Sequence, residues 1–557
     1  MSANSIEFTP SAYQYPLLIK HLLHFPLARS PDREIVYRDV RRHTYRVFRE
    51  RIGRLANALA DLGVGPGDVV AVMDWDSHRY HECYFAVPMM GAVLQTVNIA
   101  LSPDQILYTL NDAAAKVVLV NADFLPLLEK LAGRLETVDR FVLLNDRPAV
   151  PTTSVPVAAE YEALLATSSP YFQFLDFDEN TRATTFHTTG TTGRPKGVYF
   201  SHRQLVLQTL TGLVTYGIAP DQMHFHRNDV YMPMTPMFHV HAWGVPYTAT
   251  ATGVKLVFAG RYSPELFVQL IKNEGVTFTH CVPTILQTLL SAPGAEDADF
   301  SKLKVIVGGS ALPRSLAKAA LDRGIDVACG YGLSEAGPCL TSAHIDSNRL
   351  TGEIDQELDY RTKSGLQAPL VDLRIVDANL ADLPHDGKST GEIVARAPWF
   401  TMGYLNDPDA SERLWAGGYM HTGDLGTMDE EGYLHVVDRL KDVVKSGGEW
   451  ISSTDLEDIL LQKEGISKAA VIAVKDEKWG ERPLALVVIH RDFADRIGHD
   501  DIREHLSVYV GKGVLSRFAV PERIVFVDTL PLTSIGKIDK MKLRQEYSTE
   551  VAVAATR

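Results

Sequence analysis

Short apolar, β-branched runs alternate with amphipathic stretches through the first part of the chain: Val69–Met73, 117–120, 141–144, Lys255–Phe258 and Lys304–Val307. Each is too short for a helix core and, past the lysine that opens each of the last two, apolar at consecutive rather than alternate positions. Strands of that kind are buried on both faces, so the alternation predicts α/β layers with largely parallel sheets. Two runs lead into glycine turns, Val307-Gly308-Gly309-Ser310 and Ala328-Cys329-Gly330-Tyr331-Gly332. Ligands gather at such strand ends in open α/β sheets.

After about Gly391 the texture changes to short strands separated by turns, as at Gly418-Tyr419 and Asp429-Glu430-Glu431-Gly432, followed by the apolar run 433–437. A charged, glycine-punctuated segment follows, from Asp438 to Trp450, and the domain boundary is placed inside it. Beyond it, Thr454 and Glu457 have capping-box spacing and predict a helix through Leu461. Strands at 470–474, 484–489 and 524–527, a helix near 501–509 and a closing helix from Ile538 complete a small α+β unit. The tail after Tyr547 is expected to fray. The fold class expected is therefore α/β: a large N-terminal domain of layered sheets with a β-rich subdomain (1–438) and a small mobile α+β C-terminal domain (439–557).

Length supports at least two domains, since 557 residues exceed one ordinary core. The net charge of −14, from 55 basic and 69 acidic residues, argues against nucleic acid or an anionic membrane surface as partner. An anionic ligand must then be held by a local arrangement. Cys83, Cys281, Cys329 and Cys339 have no CxxC spacing, so neither a disulfide framework nor a zinc site is indicated. No apolar run reaches membrane-spanning length and no secretory n-region opens the chain, which points to a reduced, cytoplasmic home.

The most telling stretch is Thr188-Thr189-Gly190-Thr191-Thr192-Gly193-Arg194-Pro195-Lys196-Gly197. Glycines let several N–H groups converge, hydroxyls add donors, and Lys196 adds a compact charge, a set suited to a triphosphate. It differs from the common P-loop, because Lys196 follows Pro195 and precedes Gly197 instead of Ser or Thr. A bare Gly/Thr turn between two elements is the competing reading.

Further polar islands follow in order: Met237-Phe238-His239-Val240-His241-Ala242-Trp243-Gly244, Gly330-Tyr331-Gly332-Leu333-Ser334-Glu335, Thr422-Gly423-Asp424, the segment from Asp438 to Ser452, and Thr533-Ser534-Ile535-Gly536-Lys537. This ordered set resembles the adenylate-forming superfamily of acyl-CoA synthetases, luciferases and nonribosomal adenylation domains, over nearly the whole chain. Within it, Phe238-His239-Val240 with Ala242-Trp243, and Lys445-Ser446-Gly447-Gly448-Glu449-Trp450, look like bacterial medium- and long-chain fatty acid CoA ligases. Departures are His187 for a usual Tyr, Thr189 for a Ser, His241 for a frequent Asn and Ile535 for a Ser or Thr.

The resemblance implies a reaction in two halves. A carboxylate attacks the α-phosphate of ATP, giving an acyl-adenylate and pyrophosphate, and the thiol of coenzyme A then takes the acyl group. It further implies that Thr188 through Gly193 and Lys196 grip the phosphates, that Glu335 with Thr188 holds Mg²⁺, and that Ser334 donates to phosphate. Gly309, Ser310, Gly330, Tyr331 and Gly332 would line the nucleotide pocket, Gly332 bordering the acyl group as well, and Asp424 and Arg439 would bind ribose or phosphate. Lys537 would bridge carboxylate and α-phosphate. Lys441 matches the hinge, about which Lys445, Gly447, Gly448 and Trp450 would turn in to meet coenzyme A. His239 resembles the residue at the end of the pantetheine channel and Trp243 the gate of an acyl tunnel, while His241 would contact substrate. A homodimer through the N-terminal region is suggested by the relatives.

The leading reading is thus an AMP-forming acyl-CoA ligase for a medium- or long-chain fatty acid. A ligase for a short, branched or hydroxylated acid, such as a 2-hydroxy acid, is the alternative within the class. An adenylating enzyme without coenzyme A, luciferase-like or carrier-loading, and a non-enzymatic ATP-binding scaffold are the others.

Overall fold

The computed structural model describes residues 8–188, 194–218, 223–337, 339–345, 350, 352–447, 449–493, 496–533 and 537–554. The loop positions Thr189, Gly190, Thr191, Thr192 and Gly193, together with Gly448, lie outside them.

Four sheets are formed among the described residues. The first contains seven strands, with Val69–Met73 at its centre between Val93–Thr96 and Ala115–Asn121. Its strands are parallel except for the last pair, Arg182–Thr188 with Lys196–Ser201, which run antiparallel and carry the glycine- and threonine-rich loop between them. A nine-stranded sheet has a parallel middle built from Lys255–Phe258, Phe278–Cys281, Lys304–Val307 and Asp326–Gly332. The three predicted runs with full boundaries, Val69–Met73, Lys255–Phe258 and Lys304–Val307, form strands of those spans. Almost every residue in them is buried, as a strand covered by helices on both faces requires.

The β-rich part is a four-stranded antiparallel sheet ending in Met420–Met428 and Leu434–Arg439. The small C-terminal unit is a five-stranded sheet whose long hairpin, Ile466–Asp476 with Gly480–Ile489, is flanked by the helices Ser453–Leu461, His499–Gly511 and Lys540–Ala554. Its core is separate, built from residues such as Val444, Leu456, Val471, Val487, Ile502 and Leu506.

Two local expectations are corrected. The helix after the charged segment is capped by Ser452, whose hydroxyl accepts from Asp455 N–H, and not by Thr454. Thr454 donates its hydroxyl to the Val437 carbonyl, and Glu457 accepts from Val471 N–H and pairs with Lys540 at 2.7 Å, so both side chains serve tertiary contacts. The chain beyond Tyr547 continues as helix to Ala554, in keeping with its alanine content. The last helix is tied into its unit by Lys540 on Glu457 and by Arg544 on Asp442 at 2.6 Å.

Candidate functional site

Lys537 locates the site. Its Cε and Nζ lie 3.3 and 3.5 Å from the point where a Cβ on Gly309 would sit. Gly309 has φ +79° and turns the chain just past Lys304–Val307, so a strand end of the large domain and a lysine of the small one meet. The lysine's own backbone is pinned: its N–H donates to Thr533 Oγ1 at 3.2 Å, and its carbonyl accepts from Thr533 N–H at 2.6 Å.

Asp424 forms the other wall. It is buried on Met420–Met428, its backbone N–H bonded to Thr422 Oγ1 at 3.1 Å. One carboxylate oxygen accepts from the Tyr331 hydroxyl at 2.7 Å, and the other lies 3.4 Å from Arg439 Nε, its cross-strand partner. Burial raises the Asp424 carboxyl above its ordinary value, against Arg439, Tyr331 and Lys537. Lys537 is pushed down to about 8, by burial first and then by Arg439 and Lys441, with Asp424 opposing. Three cations therefore share one carboxylate, and the excess positive charge suits a polyanion.

A second corner joins Glu335, Tyr404 and Lys196. The Tyr404 hydroxyl donates to one Glu335 oxygen at 2.8 Å, and Lys196 Nζ sits 4.5 Å from the centre of the Tyr404 ring. The other Glu335 oxygen has no hydrogen bond among the described residues, so a carboxylate oxygen is free for a hard cation, which fits Mg²⁺ with phosphate oxygens completing the shell. Thr188 closes the same strand pair opposite Lys196. Tyr404 escaped the sequence reading; an aromatic residue directly after Gly403 in a turn was the available signal.

The third side is the segment around His239 and Trp243. Asp76 accepts from Met237 N–H at 2.8 Å, Thr96 donates to the Phe238 carbonyl at 3.0 Å and Tyr84 to the Met237 carbonyl, which fixes the approach to His239. Burial, with the nearby Lys537 charge second, pushes the His239 imidazole down to about 3, so it stands neutral. Val240, His241, Ala242, Trp243 and Gly244 then all have positive φ, between 47° and 69°, and form one left-handed turn. Four non-glycine residues in that hand cost on the order of 4–8 kcal/mol. Packing of Val240 and Ala242, both buried, holds it.

Because of that turn, Trp243 and His241 point to different places. The Trp243 ring reaches within 3.1 Å of where a Gly308 Cβ would be, beside the nucleotide wall. His241 is turned into the aromatic core, edge-on to Phe186 and Tyr84 at centroid distances of 5.3 and 5.6 Å, and does not line the cavity behind Trp243. Ser310 is exposed beside Gly309, and Ser334 opens a short 3₁₀ turn with Glu335. Gly330 and Gly332 flank Tyr331 on their strand. Lys445 and Trp450 pair across an exposed hairpin with Gly447 at its turn, and none of the three contributes to the environment of Lys537.

A sequence profile described as AMP-binding enzyme matches residues 25–405, and one described as AMP-binding enzyme C-terminal domain matches 455–537. The chain belongs to the AMP-binding enzyme family. Relatives in this family include a long-chain-fatty-acid–CoA ligase of Thermus thermophilus, 40% identical over 91% of each chain. A medium-chain-fatty-acid–CoA ligase of Ectopseudomonas oleovorans is 35% identical over 95% of each. A 3-methylmercaptopropionyl-CoA ligase of Ruegeria lacuscaerulensis is 35% identical over 96% of this chain and 97% of that one. Among solved structures, an anthranilate CoA ligase in complex with anthranoyl-AMP shares the fold with a TM-score of 0.84 at 22% identity, over 97% of this chain and 99% of that one. ATP-bound MatB from Rhodopseudomonas palustris does so at 0.81 and 24%, over 96% and 99%. No helix among the described residues is long and apolar enough to cross a membrane.

Proposed function

We propose that the chain is an ATP-dependent, AMP-forming carboxylic acid–CoA ligase, acting on an aliphatic acid of medium or long chain. The observation that carries this reading is the half-buried Lys537 ammonium beside Gly309, in the field of Asp424 and Arg439. An anionic carboxylate can approach a triphosphate only where cations are already fixed, and this cluster provides them. Asp424 and Tyr331 orient the nucleoside, Lys196 and the 188–197 loop hold the phosphates, and Glu335 with Thr188 holds Mg²⁺, which neutralises phosphate charge when bound. His239, kept neutral by burial beside Lys537, would border the path of the thiol in the second half-reaction without adding charge to it.

In the same reading residues 1–438 form the adenylating domain and 439–557 a lid that turns about Lys441. The turn withdraws Lys537 and brings Lys445, Gly447, Gly448 and Trp450 toward coenzyme A. The fatty acid is assigned from the relatives' names, and a cytoplasmic setting from the four free thiols.

The test is pyrophosphate exchange into ATP, driven by straight-chain acids, alongside AMP release with coenzyme A. Lys537→Ala should lower exchange by about a hundredfold or more, the range seen when one transition-state cation or donor is lost. Exchange that survives the substitution intact would overturn the assignment.

A further inference from the structure

The two walls of the site come from different parts of the chain, and a short run of hydrogen bonds joins them. On one side, the strand Leu434–Arg439 carries Asp438, one residue before the Arg439 that faces Asp424. On the other, Lys540 opens the last helix three residues after Lys537. Ser453, at the start of the helix Ser453–Leu461, lies between them. Lys540 Nζ donates to Ser453 Oγ at 2.6 Å, and Ser453 donates its own hydroxyl at 2.6 Å and its backbone N–H at 2.7 Å to one Asp438 oxygen. The other Asp438 oxygen accepts from Arg439 N–H at 2.7 Å.

This contact is dry. Ser453 is 0% and Asp438 6% exposed, so the carboxylate depends on these donors in place of water. The residues on either side repeat the pattern: the Val437 carbonyl accepts from Ser452 Oγ at 2.8 Å and from Thr454 Oγ1 at 2.6 Å. Three consecutive hydroxyls thus grip two consecutive residues of the strand. Capping the helix needs only one of them, since Ser452 already accepts from Asp455 N–H at 3.0 Å.

Each bond to Val437 and Asp438 spans Lys441. The two strand residues precede it, and Ser452, Ser453 and Thr454 follow it. A turn of the chain about Lys441 would carry the hydroxyls off the strand, and a hydrogen bond is lost once its atoms part beyond about 3.5 Å. The grip therefore belongs to one pose of the C-terminal unit, the pose in which Lys537 meets Gly309.

Resting on the ligase reading above and its lid turning about Lys441, we infer that Asp438, Ser453 and Thr454 are positioning residues for the first half-reaction alone. They touch no reacting atom; they hold the lid where Lys537 reaches the nucleotide wall. The second half-reaction requires the grip to open, so weakening it shifts the lid toward that step.

The experiment measures the halves separately: pyrophosphate exchange into ATP driven by dodecanoate, and dodecanoyl-CoA formation from supplied dodecanoyl-AMP and coenzyme A. Ser453→Ala should lower exchange by about tenfold, the effect of losing one charge-assisted bond, with thioester formation kept or raised. Thr454→Val should lower exchange by about threefold, and Thr454→Ser, which keeps the hydroxyl, should restore it. Exchange unmoved in both Ser453→Ala and Thr454→Val, or both halves lowered in proportion, as a merely loosened fold would do, overturns the inference. Lys441→Pro, which stiffens the hinge itself, separates that failure from failure of the lid reading. If the two halves part company in this variant the lid stands, and if they fall together the lid reading goes too. Exchange absent from the wild-type protein with every straight-chain acid from hexanoate to palmitate overturns the ligase reading.

Discussion

Lys537 gives the sharpest test of the electrostatics. With the site free of nucleotide its ammonium titrates near 8 instead of the ordinary 10.5, because burial and the Arg439 and Lys441 charges outweigh Asp424. That difference corresponds to about 3 kcal/mol of cost for holding the charge. A triphosphate placed beside it reverses the balance, since an opposite charge at close range raises an amine's pKa by about 1–3 units. Binding of Mg-ATP must then draw protons from solution wherever the free lysine is partly neutral: about 0.1 proton at pH 7, about 0.4–0.5 at pH 8 and about 0.4–0.9 at pH 9, according to how far the bound pKa rises. Below pH 7 the ammonium is already present and uptake vanishes. Above pH 8 the affinity for Mg-ATP should weaken by up to about tenfold per pH unit. Titration calorimetry at pH 8 in Tris and in HEPES, whose ionisation enthalpies differ, measures the uptake directly. Lys537→Met should abolish it. Buffer-independent binding enthalpy in the wild type, or equal uptake in the variant, would refute the assignment of this charge to the nucleotide site.

Three further outcomes are expected. Asp424→Asn removes a charge-assisted acceptor from Tyr331 and should weaken nucleotide binding by about 2 kcal/mol, read as the Kd for AMP. Tyr404→Phe deletes the hydrogen bond to Glu335 and should raise the Mg²⁺ concentration for half-maximal pyrophosphate exchange severalfold, with little change in melting temperature. Acid should destabilise the fold well before the carboxylates titrate: burial holds His43, His202, His241 and His280 neutral down to about 3, whereas the unfolded chain takes up those protons near 6.5. Stability is complete above that value and is lost below it, by about 1.4 kcal/mol per histidine at pH 5.5. A flat melting temperature from pH 7.5 to 5.5 would contradict this.

The parallel strands were legible because burial on both faces leaves no polar position to interrupt the run, as in Val69–Met73 and Lys304–Val307. Edge strands such as Arg41–Thr44 were not, since their polar residues satisfy solvent on one side and carry no period. Lys537, Asp424, Arg439 and Tyr331 were readable as an ordered constellation, and their meeting depends on sheet crossovers that local pattern does not encode. Tyr404 joins Glu335 from 69 residues away, and only its place directly after Gly403 marks it locally. The left-handed turn at Val240–Trp243 was invisible for a stronger reason: intrinsic preference opposes it, and only tertiary packing supports it. That turn also decides what His241 does, by sending its ring into the aromatic core.

The last helix bears on how the key lysine can be placed at all. Lys537 stands three residues ahead of that helix, and Lys540 and Arg544 rivet the helix to Glu457 and Asp442. Its ammonium is thus aimed by a braced framework, the way a crank aims its pin, rather than by a loose fingertip. Damage to a strut such as Arg544, whose own partner is Asp442, would blur the aim and reach the chemistry from a distance.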